Sequence, residues 1–313
     1  MTDPKVSVVI AVYNGVPYLK KALDSVLAQT HPAHEIIVID DGSTDETPRL
    51  LTSYGNKIIT QRFANAGVAT AMNRGLELAT GDYVAFLDHD DVWFRDKLKK
   101  QVEAMERYPE AGLACCNFAH RPAALKRRVF HFSKLTFPED FDFKEPLLRD
   151  PFLTMAKNSI IGTSSVVLLR RDFAKKVGFF NPRYRVSGDY DYWMRCSLLA
   201  PFVVLNDVLL YKRTHATNIS ADMVLTFTEY RQVLRNLPLE FQKMGGNKAW
   251  EAICRQEAAN ISYMMGNHCF DRGDKAKAFE FFREGVQDNR TIQNFLVGGS
   301  LTLKKKVRSL LHG

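Results

Sequence analysis

Long apolar runs are missing from this 313-residue chain. No uninterrupted stretch approaches the roughly 18 residues that a bilayer-spanning helix needs, so any membrane contact is expected to be peripheral. The run nearest the start, VSVVIAV at residues 6–12, has polar residues on both sides and no small-residue cleavage site, and fits a first strand rather than a signal peptide. Cysteines in a pairing pattern are missing too. Cys115, Cys116, Cys196, Cys254 and Cys269 are odd in number and show no CxxC spacing, as expected of reduced thiols in a cytosolic protein. The first βα turn, AVYNGVPY, lacks GxGxxG, and GxxxxGK[ST] occurs nowhere. Dinucleotide oxidoreductases and P-loop nucleotidases are therefore poor fits. Acidic excess is also lacking: the formal net charge is +8, which favours phosphorylated substrates, nucleic acid or an anionic surface without choosing among them, or is a solvated basic surface.

What the chain does have is alternation. The runs VSVVIAV (6–12), EIIVID (35–40) and YVAFLD (83–88), with a weaker KIITQRF (57–63), read as strands covered on both faces. Between them YLKKALDSVLAQT puts Leu19, Leu23, Val26 and Leu27 on one helical face, and GVATAMNRGLELATG reads as a second helix closed by Gly81. The order predicts an α/β fold, a mostly parallel sheet with helices on both faces. Further on, GLACCNF (112–118) and TSSVVLLRR (163–171) read as strands, DYDYWMRCSLLA (189–200) as a helix and PFVVLNDVLLYKR (201–213) as one or two strands. Residues 119–160 carry no clear period, and a C-terminal α-helical region is expected from residue 222 to the end. The expected domains are 1–221 and 222–313.

In an open parallel sheet, ligands bind outside the carboxyl ends of the strands. There the first run meets Tyr13, Asn14 and Gly15, the second meets DDGSTD at residues 40–45, and YVAFLD meets Asp88, His89, Asp90 and Asp91. Tyr13 can stack on a base, and Asp41 can accept a proton from its edge. Asp88 and Asp90, spaced as DxD, can hold one hard divalent cation through oxygen, with water and phosphate completing the shell. Together these suit a nucleoside diphosphate bridged by a metal.

The stretches SVVIAVYNG, IIVIDDGSTDET, NAGVATAMNRGLELATGDYVAFLDHDD, SGDYDYWMR and YKRTHATNIS, spread over residues 5–220, resemble glycosyltransferase family 2 in order and spacing. The resemblance implies the GT-A nucleotide-sugar-binding fold and an inverting, metal-dependent transfer from a nucleotide diphosphate sugar, a UDP-sugar first among candidates, to a hydroxyl of a glycan or lipid-linked acceptor in cell-surface polysaccharide synthesis. It implies that Ala11, Tyr13 and Asp41 contact the nucleoside, with Asn14 and Asp40 beside them. Asp88 and Asp90 are the metal and diphosphate ligands it implies, for Mn²⁺ or Mg²⁺, with Asp91 a neighbour. Asp189 matches the catalytic base, although its place at a helix start equally suits capping. Asp191 is a second acid, but residues two apart on a helix point about 200° away from each other, so only one faces the crevice. His215 is a candidate metal ligand or, when protonated, a diphosphate contact. Trp93 and Trp193 suit the core or an acceptor-pocket wall, and Trp193 is carried with the substrate-binding set.

Three positions depart from the family pattern: Gly188 stands where an acid commonly precedes the base, Met72 replaces a common arginine, and His89 fills the middle of DxD. A silent module of the same fold is the competing reading, and a sugar nucleotidyltransferase is disfavoured because the first turn has no glycine-rich basic loop. Residues 266–290, GNHCFDRGDKAKAFEFFREGVQDNR, resemble one tetratricopeptide unit at Gly266, Gly273, Ala278 and Phe282, with Gly285 in place of alanine. One unit cannot make a solenoid, so a helical hairpin over about 259–290 is expected, available for homo-oligomer contacts. The ending LTLKKKVRSLLHG sets Leu303, Val307, Leu310 and Leu311 against Lys304, Lys305, Lys306 and Arg308, a pattern suited either to docking at the inner membrane face or to a short solvated helix. No nucleic-acid partner is expected.

Overall fold

The computed structural model describes residues 3–120, 128–215, 218–243 and 247–289. The basic stretch 303–313 lies outside the described residues, as does 121–127. The chain divides into two compact units, Met1–Asn218 and Ile219–Gly313. No helix of the described residues is long and apolar enough to cross a membrane.

The first unit is built on strands β1 (Val6–Val12), β2 (Glu35–Asp40), β3 (Ile59–Arg62) and β4 (Tyr83–Phe86), with helices α1 (Leu19–Leu27), α2 (Thr47–Thr52) and α3 (Val68–Leu78) between them. All four strands are parallel in the order β3-β2-β1-β4. Every residue of β1 and β4 is buried, as near-continuous apolar runs between two helical layers require. β3 is exposed throughout and forms the edge. In α1 the buried face is Leu19, Ala22, Leu23 and Val26; Leu27 is turned out, 44% exposed, because it lies about 100° around the helix from Val26.

Beyond β4 the sheet is mixed. After β5 (Val92–Trp93), α4 (Lys97–Arg107), β6 (Leu113–His120), β7 (Val129–Phe130), β8 (Leu147–Leu148) and α5 (Pro151–Asn158), strand β9 (Leu168–Arg170) enters antiparallel between β4 and β6. Helices α6 (Arg171–Val177) and α7 (Gly188–Ser197) follow, and β10 (Phe202–Lys212) runs parallel to β6. The sheet order is then β3-β2-β1-β4-β9-β6-β10-β5. β10 is one strand whose register slips between Leu205 and Leu210, around polar Asn206 and Asp207; such a bulge bends a strand and re-aims its end. That bend carries Arg213 and His215 to the acidic loop. The stretch with no readable period holds a nucleus of Phe132, Phe137, Phe141 and Phe143, whose ring centroids are 5.1–6.0 Å apart.

The second unit contains α8 (Met223–Lys243), α9 (Lys248–Asp271) and α10 (Lys275–Asp288). Met265, Cys269, Ala278, Phe281 and Phe282 form its buried cluster. Arg231 of α8 pairs with Glu284, and Arg235 with Asp288 at 2.6 Å, tying α8 to α10.

Candidate active site

The crevice is assembled from the ends of β1, β2 and β4 and from the segments that follow β8 and β10. At the end of β1, Asn14 adopts left-handed backbone (φ 52°), a conformation asparagine tolerates better than most residues. Its Oδ1 accepts from the amides of Thr44 (2.7 Å) and Asp45 (3.3 Å), and its own amide donates to Ser43 Oγ (2.9 Å). Asn14 thus fastens the β1 turn to the β2 turn. Tyr13 beside it is 47% exposed and open to a stacking partner. Ala11 is buried within β1. Asp41 accepts from the amides of Ala66 (2.9 Å) and Gly67 (2.8 Å), which fixes the start of α3 against the β2 turn. Arg74 reaches the same carboxylate at 3.9 Å and lies over the Phe63 ring. Arg74 is the guanidinium on this helix, two residues after Met72, whose side chain is buried in the core.

The β4 end is crowded with acid. Asp88 accepts from Thr163 Oγ1 at 2.7 Å, and its amide donates to Ser165 Oγ. Asp91 accepts from Ser165 Oγ (2.7 Å), Thr163 Oγ1 (3.3 Å) and the Arg213 amide (3.0 Å). Asp90 Oδ2 lies 2.8 Å from His215 Nε2 and 3.0 Å from Asn218 Nδ2, while His215 stacks on Tyr18 at 4.6 Å. His89 lies close to Gly15: a Cβ at position 15 would meet Val12 Cγ2 at 2.4 Å and the His89 ring at 3.1 Å, so glycine suits both the local turn and the approach of the β4 loop.

Asp189 sits in the first turn of α7, where Oδ1 accepts the Tyr190 amide at 2.7 Å. Ser187 takes the N-cap position, so Asp189 is a first-turn acid of α7 rather than its cap. Burial, then the charge of Asp88, pushes its carboxyl up to about 6. Asp88 is raised by burial and by Asp90, and Asp91 by burial and by Asp88, with Lys212 partly opposing the rise in all three. Burial and crowding therefore disfavour simultaneous ionisation of these carboxyls, even with Lys212 nearby.

Four of the expected substrate contacts have partners within the protein. Asp40 is buried, with Oδ1 on the Ser43 amide and Oδ2 3.3 Å from Arg62 Nε. Asp91 is consumed by the network just described, at 1% exposure. Asp191 pairs with Arg195 at 2.9 Å, whose remaining nitrogens donate to the carbonyls of Val177 and Phe179. Trp193 has no exposed surface and packs edge-on to Phe86, Phe180 and Tyr192. These four shape the crevice from behind.

A cation fits this donor set only as a shared one. Among the described residues no three His, Cys, Asp or Glu side chains are arranged to hold a metal together. Asp90 and His215 supply two adjacent donors, and a hard divalent ion would take its other oxygens from water, Asp88 or a diphosphate. Thr163, Ser165, Asn218 and Arg213 were not legible as site residues; small hydroxyls and amides in loops look like ordinary turn chemistry.

Comparison with known proteins now supplies the family. Residues 7–178 match the family described as Glycosyl transferase family 2. An uncharacterized glycosyltransferase of Rickettsia prowazekii is 31% identical over 232 residues, 74% of this chain and 70% of the relative. The putative teichuronic acid biosynthesis glycosyltransferase TuaG of Bacillus subtilis is 46% identical over 198 residues, 61% of this chain and 71% of the relative. Among solved structures, residues 1–349 of S. aureus TarS in complex with UDP-GlcNAc superpose with a TM-score of 0.66 at 21% identity, covering 91% of this chain and 81% of that one. The mannosyltransferase PcManGT of Pyrobaculum calidifontis, in complex with GDP-Man and Mn²⁺, gives 0.59 at 19% identity, covering 100% and 81%. These two establish the GT-A fold, and with the family match over more than half its length, the chain belongs to glycosyl transferase family 2.

Proposed function

We propose that the protein transfers a sugar from a nucleoside diphosphate sugar to a hydroxyl of a glycan or lipid-linked glycan, with inversion, in the building of a cell-surface polysaccharide. The observation that carries this reading is Asp189: a partly exposed carboxylate, densely surrounded, raised to about 6 and set beside the acidic loop. A carboxylate with that value is ionised at neutral pH yet basic enough to take the acceptor proton as its oxygen attacks the anomeric carbon. Tyr13 stacks on the base, Asp41 accepts from its edge through lone pairs left over from Ala66 and Gly67, and Asn14 keeps both turns in place. Asp88, Asp90 and His215 would hold a divalent cation at the diphosphate, where it supplies positive charge for the leaving group. Inversion follows from attack opposite the nucleotide.

TuaG and the amylovoran biosynthesis glycosyltransferase AmsB of Erwinia amylovora support the polysaccharide setting, and the UDP-GlcNAc complex of TarS supports a uridine donor. The buried, unpaired cysteines support a cytoplasmic location. A mass-spectrometric screen of nucleotide sugars with Mn²⁺ tests the reading. One donor should be hydrolysed or transferred preferentially, and Asp189→Asn should bind that donor with its turnover lost; full turnover in Asp189→Asn would remove the base.

A further inference from the structure

Sheet order sets β1 and β2, with Tyr13 and Asp41, on one side of the Asp88 loop and β6, β10 and β7 on the other. The C-terminal end of that second flank is cationic. His120 ends β6 opposite Lys212 of β10, and Val129 of β7, directly after Arg128, pairs His120 from its other side. The Arg128 guanidinium lies 5.4 Å from the Tyr211 ring centroid, and the Lys212 ammonium lies 5.9 Å from that of Phe118 while donating to the Gly162 carbonyl at 2.8 Å. Lys134 and Lys212 act on His120, which burial and these two charges hold below its ordinary value. His131, stacked on Phe118 at 4.4 Å, is pushed down to about 4 by burial and is neutral at physiological pH, so the charge resides on Arg128, Lys134 and Lys212. Among the described residues none of these three has a carboxylate at ion-pair distance. Nor does the chain offer one nearby in sequence: residues 111–138 contain no Asp or Glu.

One short segment joins this flank to the acids. A Cβ at Gly162 would meet His131 at 2.9 Å, so glycine lets the imidazole close in; the next residue, Thr163, donates to Asp88. Lys212 runs on into Arg213, whose guanidinium lies over Tyr18 of the turn after β1, so Arg128 and Lys134, on the β7 side of β6, are the cations on the side away from the nucleoside turns. In an inverting transfer the acceptor hydroxyl must come from the face opposite the leaving nucleotide. Lys212 already acts on Asp88, Asp91 and Asp189, which leaves Arg128 and Lys134, exposed and beside aromatic rings, to complement an anion attached to a sugar ring.

We propose that this flank is an acceptor subsite for an acidic glycan, one bearing a carboxylate or phosphate on or next to the acceptor sugar. The inference rests on the glycosyltransferase reading above. Its test is a titration of wild-type protein, with and without saturating UDP and Mn²⁺, with a galacturonate oligomer, a glycerol phosphate oligomer and a neutral maltooligosaccharide of equal length. At least one anionic oligomer should bind about tenfold or more tightly than the neutral one. Arg128→Glu/Lys134→Glu should lose that preference and keep its UDP affinity, whereas Lys175→Glu/Lys176→Glu, an equal change of net charge on exposed positions of α6, should lose neither. The two anionic oligomers distinguish carboxylate from phosphate. Equal binding of neutral and anionic oligomers, equal losses in both double variants, or displacement of the anionic oligomer by UDP would each overturn the proposal, the last by giving the cations to the donor diphosphate. Failure of UDP to bind wild-type protein would count against the glycosyltransferase reading instead, while the nucleotide-free titration still judges the subsite.

Discussion

The two walls of the crevice are held together in opposite ways. The nucleoside wall is stitched by neutral donors to fixed acceptors: Asn14 to the 43–45 turn, and Asp41 to the amides that open α3. The acidic wall gathers Asp88, Asp90, Asp91 and Asp189, drawn from segments about a hundred residues apart, and holds them with hydroxyls, amides and one histidine. In the first wall Asn14 and Asp41 are bonded within the protein, while the buried Asp40 Oδ2 and Arg74 Nη1 have ion-pair contacts but no hydrogen-bond partner. The second holds carboxyls that burial and mutual repulsion raise, and the cation proposed above is what would let them stay ionised together. Fixed hydrogen bonds in one wall and crowded, raised carboxyls in the other are thus separate properties of adjacent loops.

The largest expected effect breaks the acidic wall. Asp189→Asn should lower kcat by about 10³-fold with donor affinity within a factor of about two, read by steady-state kinetics and UDP titration. In the wild type, log kcat/KM should fall on the acid side with an apparent value near 6, because Asp189 must be ionised to accept a proton. The nucleoside wall should respond differently. Asn14→Ala loses the turn hydrogen bonds and forces alanine into left-handed backbone, at a cost of about 2 kcal/mol in thermal or urea unfolding; Asn14→Gly should recover about half of that by relieving the backbone alone.

Stability against pH sharpens the contrast further. A carboxyl raised in the folded state contributes stability below its unfolded value and loses it as pH rises through the folded value. Apo protein should therefore lose melting temperature between about pH 4 and pH 6 through Asp189, and UDP with Mn²⁺ should flatten the decline. The smallest effect concerns Lys97, fully buried behind this wall, bonded to Gln101 and over Trp93. Burial lowers it to about 8, so its stability contribution is present above the unfolded value and lost as pH falls through about 8. Lys97→Met should stabilise the fold by about 1 kcal/mol at pH 7 and lose that gain by pH 10, measured by urea unfolding.

Legibility in the sequence followed the same division. The nucleoside wall was readable because its parts are local: apolar strands of period two or less, ending in turn-forming Asn, Asp, Gly and Ser within residues 6–45. DxD and Asp189 stood out as acids in place. Their supports did not. Thr163 and Ser165 meet Asp88 and Asp91 across more than seventy residues, and Asn218 meets Asp90 across 128. No short-range pattern encodes such pairings. The antiparallel entrance of β9 and the bulge in β10 escaped for the same reason, since strand direction is set by which edge remains to be filled. His89, inexplicable within its motif, lies near Gly15, which is over seventy positions away. The partners of Asp191 and Trp193 were equally illegible: Arg195 for the first, and Phe86, Phe180 and Tyr192 for the second.

The claim that the acidic wall is completed by a shared cation is tested most directly by isothermal titration of UDP in chelator and in Mn²⁺, for wild type and Asp90→Ala. The account predicts that Mn²⁺ tightens UDP binding to wild type about tenfold or more and does little for Asp90→Ala. Equal UDP affinity in chelator and in Mn²⁺, unchanged by Asp90→Ala, would contradict it.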